Sequence, residues 1–236
     1  MNPYSPPRDP IAPHAPGFPG YRGYHVPYVP LGWRFGVAAV SIAATCLTSF
    51  AFDGAQLALG KKLDDASDPE LTSALVVGGT GLLLVVAHVM AAIFFCVWVY
   101  RAAENLRAFG RSGLQFTPGW CVGWFFIPFA SLVKPFQALS EVWRASDPRA
   151  PSGDDPYTWM ASSRSGLLPL WWATWLIGNL FANVSARIDD SATAGSVGLA
   201  GSVVSLVAGI ACIAMMRGIG ARQEAAAASE RTADAR

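Results

Sequence analysis

The chain has 236 residues, of which 53% are hydrophobic and only 14% charged, against roughly 25% charged in ordinary soluble domains. Its 17 Lys and Arg nearly balance 16 Asp and Glu, for a net charge of +1. No global field therefore gathers nucleic acid, and that partner class is excluded. The charges are also segregated, and only the long uncharged runs between them can reside in hydrocarbon.

Residues 1–30 carry nine of the 17 prolines, interleaved with Gly and Tyr. Such a stretch buries too little apolar surface to offset the entropy of ordering it, which predicts a disordered, partly polyproline-like tail. No cleavable signal is read there, and the first hydrophobic run, beginning near Gly32, is expected to act as an uncleaved signal-anchor. A membrane domain is predicted over residues 31–217. Its first span covers about 33–52, and a polar loop containing Lys61, Lys62, Asp64, Asp65, Asp68 and Glu70 follows. The second span covers about 72–100, with Trp98 and Tyr100 placed at the headgroup level. Its helix continues through Arg107, and Gly110 and Gly113 break it.

The next apolar stretch, 119–133, is about 15 residues long. As a helix it reaches only about 22 Å, short of the roughly 30 Å core, and Pro128 interrupts it. Beyond it, Lys134, Gln137, Glu141 and Arg144 recur on one helical face, opposite Val133, Phe136, Leu139, Val142 and Trp143. That pattern predicts an amphipathic helix for an interface or for the side of a bundle. Further spans are predicted over about 167–188 and 193–216, followed by a short polar tail, 218–236, helical at first and then frayed.

Counting Lys and Arg on each side chooses between topologies. If 119–133 does not cross, there are four spans with both termini on one side, which holds 14 basic residues against 3. If it crosses, the split is 7 against 10. The four-span arrangement has the asymmetry that biogenesis produces. The expected fold class is thus an all-α integral membrane bundle of four transmembrane helices, with a re-entrant or amphipathic element over 118–145 on the cytoplasmic side. Both termini are placed in the cytoplasm. Small residues predict the close contacts between helices: Gly198, Gly201, Ser202, Ser205 and Gly209 on the last span, Gly78, Gly79 and Gly81 on the second, and Ala39 and Ala43 on the first. Some of these faces also suit a homo-oligomer.

Candidate sites are few. His88 reads as the only ionisable residue well inside a span, with no intramembrane Asp or Glu to pair with it, and is a candidate relay or ligand contact. Asn179 and Asn183, one turn apart, predict a polar stripe that bridges helices or lines a cavity. Within 101–148, Arg101 and Asn105 share a helical face, Glu104 can meet Arg107 or Arg111, and Trp120, Trp124 and Trp143 suit an interface. Basic side chains there predict contact with anionic lipid headgroups, at about 1 kcal/mol each near the surface. Arg101, Asn105, Trp120, Trp124, Pro128, Lys134, Glu141, Trp143 and Arg144 form a candidate ligand or partner site. The four cysteines form no Cys-x-x-Cys pair and read as buried hydrophobes, so no metal and no cofactor is expected. Enzyme signatures such as Gly-x-Ser-x-Gly, His-Glu-x-x-His and a phosphate loop are missing.

The stretch Tyr100–Pro148 carries Tyr100-Arg101 with Asn105, Pro118-Gly119-Trp120, Gly123-Trp124, Ile127-Pro128, Lys134-Pro135 and Glu141-x-Trp143-Arg144-Ala-Ser146. With these residues it resembles the domain of unknown function 4328 family of bacterial membrane proteins. Together with the flanking spans, the resemblance covers about residues 33–217. It implies a bacterial multi-span protein, often with a proline-rich cytoplasmic tail, and implies no activity, cofactor or partner. The function expected is that of a non-enzymatic scaffold, sensor or accessory subunit contacting the bilayer, with a membrane-protein partner or a second copy. The competing expectation is a small channel or transporter component using His88 and the broken segment 119–133.

Overall fold

A computed structural model describes residues 27–62, 69–149 and 158–234. Most of the proline-rich segment, and parts of the two polar loops, lie outside these residues. The described chain is all-α: α1 (Gly32–Lys62), α2 (Pro69–Ala108), α3 (Pro118–Gly123), α4 (Lys134–Ala145), α5 (Leu167–Ser185) and α6 (Ser191–Asp234), with short 3-10 turns between α3 and α4 and before α5. Four of these helices are long and apolar enough to cross a membrane, over Gly32–Leu59, Leu75–Ala108, Leu167–Ser185 and Ser191–Ser229. Their outward faces carry Leu82, Leu83, Val85 and Leu180, each more than half exposed. A surface of bare aliphatic groups suits hydrocarbon and is unfavourable in water.

The helices run further than the uncharged stretches. α1 continues past Phe52 to Lys62, α2 reaches from Pro69 to Ala108, and α6 extends as one helix to Asp234 in place of a short frayed tail. Charge forbids burial in lipid but does not stop a helix, so helices outlast their spans. α2 ends at Gly110, whose φ of +63° closes the terminus, with the Arg111 N–H donating to the Leu106 carbonyl at 3.0 Å. Asp190 opens α6 by accepting from the Thr193 N–H at 2.7 Å, and these bonds hold its carboxyl below the usual range.

The spans pack as a row, α5 on α6, α6 on α1 and α1 on α2, and α2 and α5 approach each other at Phe95 and Trp171. Small residues on α6 make this possible. A methyl group on Gly195 would lie 2.5 Å from the Leu57 backbone nitrogen, and one on Gly201 would lie 2.6 Å from Cβ of Phe181. Gly198 and Ser202 face Asp53, Gly209 faces Cys46, and Ser205 faces Gly178 of α5. On α2 only Gly81 meets a neighbour, Phe52, while Gly78 and Gly79 face open space. On α1 the buried positions are Ala38, Cys46 and Asp53, whereas Ala39 is half-buried and Ala43 exposed, so the expected Ala39/Ala43 face is rotated away from the contact. Trp98 is likewise buried in the core, where the sequence placed it at the headgroup level, and Tyr100 remains exposed.

Between Pro118 and Lys134 the chain forms no continuous helix. Thr117 caps α3 and Pro118 starts it, but it lasts only six residues. Pro128 then lacks a donor, and Phe129 takes φ of +61°, costly for a residue with a Cβ. The result is a folded-back wedge. Cys121 and Pro118 are buried on its inner side, and Trp120, Phe126, Phe129 and Leu132 are at least half exposed.

Candidate functional site

The start of α1, the end of α2, α4 and the last third of α6 meet at one end of the row, here the polar end. Asn105 is its centre and is fully buried. Its amide N–H donates to the Val29 carbonyl at 2.9 Å and to Gln223 Oε1 at 2.9 Å, and its carbonyl accepts from the Val29 N–H at 3.1 Å. Gln223, also fully buried, donates to the Ala102 carbonyl at 2.8 Å and to Ser146 Oγ at 3.1 Å. Four separate segments are thereby joined through two side-chain amides, each satisfied by geometry that a carboxamide provides.

The C-terminus of α4 receives two arginines. Arg111 donates to the carbonyls of Ala145, at 3.2 Å, and Asp147, at 3.0 Å. Arg222 donates to the Trp143 carbonyl at 3.3 Å, lies 4.3 Å over the Trp143 ring and pairs with Asp147 at 3.6 Å. Cations at a helix C-terminus are favoured by its exposed carbonyls and dipole. Glu141 points the other way, and its carboxylate accepts from the backbone N–H groups of Gln115, at 2.9 Å, and Phe116, at 3.1 Å. Burial raises its pKa above the ordinary carboxylate range, and the two N–H bonds draw it back. Burial, with Glu141 nearby, also pushes the Cys121 thiol up to about 12.

The remaining residues predicted for this site separate. Arg101 pairs with Glu104, one turn on, and takes no part in the hydrogen bonds of Asn105. Glu104 therefore meets Arg101 rather than Arg107 or Arg111. Trp120 and Trp124 pack with ring centres 4.7 Å apart and planes tilted by 32° on the wedge, with Lys134 6.0 Å from the Trp124 ring. Trp143 donates to the Ser163 carbonyl at 3.2 Å, and Arg144 donates to the Met160 carbonyl and lies 5.9 Å over Trp159. Pro128 sits at the exposed tip of the wedge. A cavity of about 620 Å³ beside α4 is lined by Glu141, Arg144, Gln137 and Arg164. Of the polar face of α4, Glu141 is buried, Lys134 and Arg144 are half-buried and Gln137 is exposed.

A second cavity, about 600 Å³, lies between α2 and α5, with α1 and α6 behind it. His88, exposed, lines its α2 side and has no hydrogen-bond partner among the described residues. Asn179 also lines it, but its amide donates to the Trp175 carbonyl of its own helix at 2.7 Å. Asn183 is exposed and donates to the Asn179 carbonyl at 2.8 Å. The asparagines therefore bridge no helices, because the carbonyl four residues back is the nearest acceptor. Phe95 packs edge-on against Phe125 of the wedge, with ring centres at 5.7 Å, and lies 5.9 Å from Trp171, which closes the cavity toward the polar end. Trp172 fixes the wedge to α5 by donating to the Leu132 carbonyl at 3.2 Å.

One residue of this cavity was not read from the sequence. Asp53 is only 8% exposed, and its Oδ2 accepts from Ser202 Oγ at 2.6 Å. It lies within the α1 span, so His88 is not the sole ionisable group there, and an acidic residue does line the same cavity. Its place at the margin of the uncharged run made it read as the start of a loop. Gln223 was also missed, since one glutamine in a polar tail carries no periodic signal.

The family described as Domain of unknown function (DUF4328) matches residues 63–221, more than half of the chain. The chain belongs to this family. The match spans α2 to α6 as far as Ala221, so it takes in the wedge, α4 and most of the polar end, and stops just short of Gln223. Asp53 and the rest of α1 precede it. Comparison with curated proteins and with solved structures found no match.

Proposed function

We propose that this DUF4328 member is a multi-pass protein of the bacterial cytoplasmic membrane that works by binding rather than catalysis, as a scaffold, sensor or accessory subunit. What carries the reading is how the polar end uses its side chains. Asn105, Gln223, Arg111, Arg222 and Glu141 all hold backbone groups or one another, and so build a rigid platform. The exposed aromatic wedge and the outward Arg101 and Arg107 beside it suit anionic headgroups and a membrane partner. The 14-to-3 excess of basic residues supports placing this end and both termini in the cytoplasm. Reporters fused at the two ends are expected on the same, cytoplasmic face, and opposite faces would overturn the topology. Gentle solubilisation is expected to recover a stoichiometric partner that is released by Arg107→Glu with Lys134→Glu. Recovery as a lone species with transport activity would overturn the reading.

That outcome would favour a second reading, a small channel or transporter component. The cavity supports it by bringing His88 and Asp53 to one space closed by the broken segment. Its test is a pH-dependent flux in liposomes that His88→Ala abolishes.

A further inference from the structure

A carboxylate inside a membrane span is expensive to hold without a compensating positive charge. Asp53 lies within the part of α1 that is long and apolar enough to cross a membrane, six residues before its end at Leu59. Only one of its oxygens is engaged, by Ser202. The other, Oδ1, accepts no hydrogen bond and meets no Lys or Arg among the described residues, although the residue is more than nine-tenths buried. It lies beside Gly198, where any side chain would collide with it, since a methyl group there falls 2.7 Å from the carboxylate carbon. The missing side chain at Gly198 leaves room for this carboxylate against α6, and Asp53, Gly198 and Ser202 together line the cavity.

The walls of that cavity match a particular kind of cation. Phe52, Phe95, Phe125, Phe126, Trp171 and Trp175 line it, and aromatic faces attract large, weakly hydrated cations. Its other titratable groups are His88 and the thiols of Cys46, Cys96 and Cys212. A volume of about 600 Å³ falls in the range of roughly 300–1,000 Å³ that small-molecule sites occupy. The gap between α2 and α5 opens toward the bilayer, where lipophilic cations collect. A lipid acyl chain would fill the apolar volume but offer Oδ1 no polar or charged group.

We propose that this cavity binds a lipophilic monocation, an organic ammonium or phosphonium with an aromatic or branched apolar body, with Asp53 as its counter-ion. The proposal goes beyond the platform reading, and its failure leaves the partner-capture result untouched. The test uses the full chain in nanodiscs of uncharged phosphatidylcholine, with empty discs to subtract partitioning. Binding of radiolabelled tetraphenylphosphonium is compared with tetraphenylborate, nearly the same shape with opposite charge. Saturable binding of the cation alone is expected, weakened about tenfold or more by Asp53→Asn and retained in Asp53→Glu. Ala92→Trp fills the cavity from α2 without touching the Asp53–Ser202 bond, and it is expected to abolish binding even if Asp53→Asn does not fold. Equal binding of both ions, unchanged affinity in Asp53→Asn, or no saturable binding by the native chain overturns the proposal.

Discussion

Replacing Gln223 by Leu tests whether the polar end is held by its buried amides. Leucine has nearly the same volume, so the change removes hydrogen bonds with little loss of packing. Three bonds disappear: two donated, to Ala102 and Ser146, and one accepted from Asn105. The Asn105 N–H that pointed at Gln223 is left buried, while its second N–H keeps the Val29 carbonyl. At about 0.5–1.5 kcal/mol net per bond, and about 1–3 kcal/mol for a stranded buried donor, the expected loss is about 2–4 kcal/mol. Asn105→Leu should cost a similar amount, since it also releases Val29. The double variant strands fewer groups than the two singles together, so the coupling is expected at about 1–2 kcal/mol. Equilibrium unfolding in mixed micelles, followed by tryptophan fluorescence, measures all four corners. Additive losses, or a Gln223→Leu chain as stable as the native one, would refute the claim that these amides act as one unit.

Three further outcomes follow from the same geometry. Gly195→Ala should destabilise by about 1–3 kcal/mol, because its methyl group meets the α1 backbone, whereas Gly78→Ala, in open space, should be neutral or slightly stabilising; equal unfolding midpoints would contradict this. The native state binds the Glu141 proton more tightly than the unfolded chain does, so stability should rise as pH falls from the raised native value toward the ordinary 4.5. Glu141→Gln should remove that slope on the alkaline side of the ordinary carboxylate value of 4.5, read from unfolding at each pH. With its thiol raised to about 12, Cys121 as the sole cysteine should resist maleimide at neutral pH until the chain is unfolded, and rapid labelling of the folded protein would show that the wedge does not bury it.

The four spans were legible because hydrocarbon imposes one simple demand, an uncharged run of sufficient length. The broken segment was legible for the complementary reason, too few residues and an internal proline. Helix ends were less legible. Asp53 and Arg217 bound their uncharged runs, yet the backbone continues as helix through both. The Asp53–Ser202 pair joins positions 149 residues apart, and no local pattern reports such a meeting. Asn105 stood out through the motif around it, while its partner Gln223 had no motif at all. Of the two roles read for the Asn179–Asn183 stripe, Asn179 lines the cavity, while both amides bond to carbonyls of their own helix, an acceptor choice that periodicity does not report. For α4, the alternation of polar and apolar residues predicted two faces, but only the fold shows that Glu141 of the polar face is buried against the backbone at Gln115 and Phe116.

α6 is a single helix of 44 residues, about 66 Å from end to end. It grips α1 at Ser202 and the polar platform at Gln223, two holds about 31 Å apart on the same rod. The contact with Asp53 and the arginine and amide clasps that seat α4 are thus carried by one continuous helix, so the register of either along α6 fixes the distance to the other.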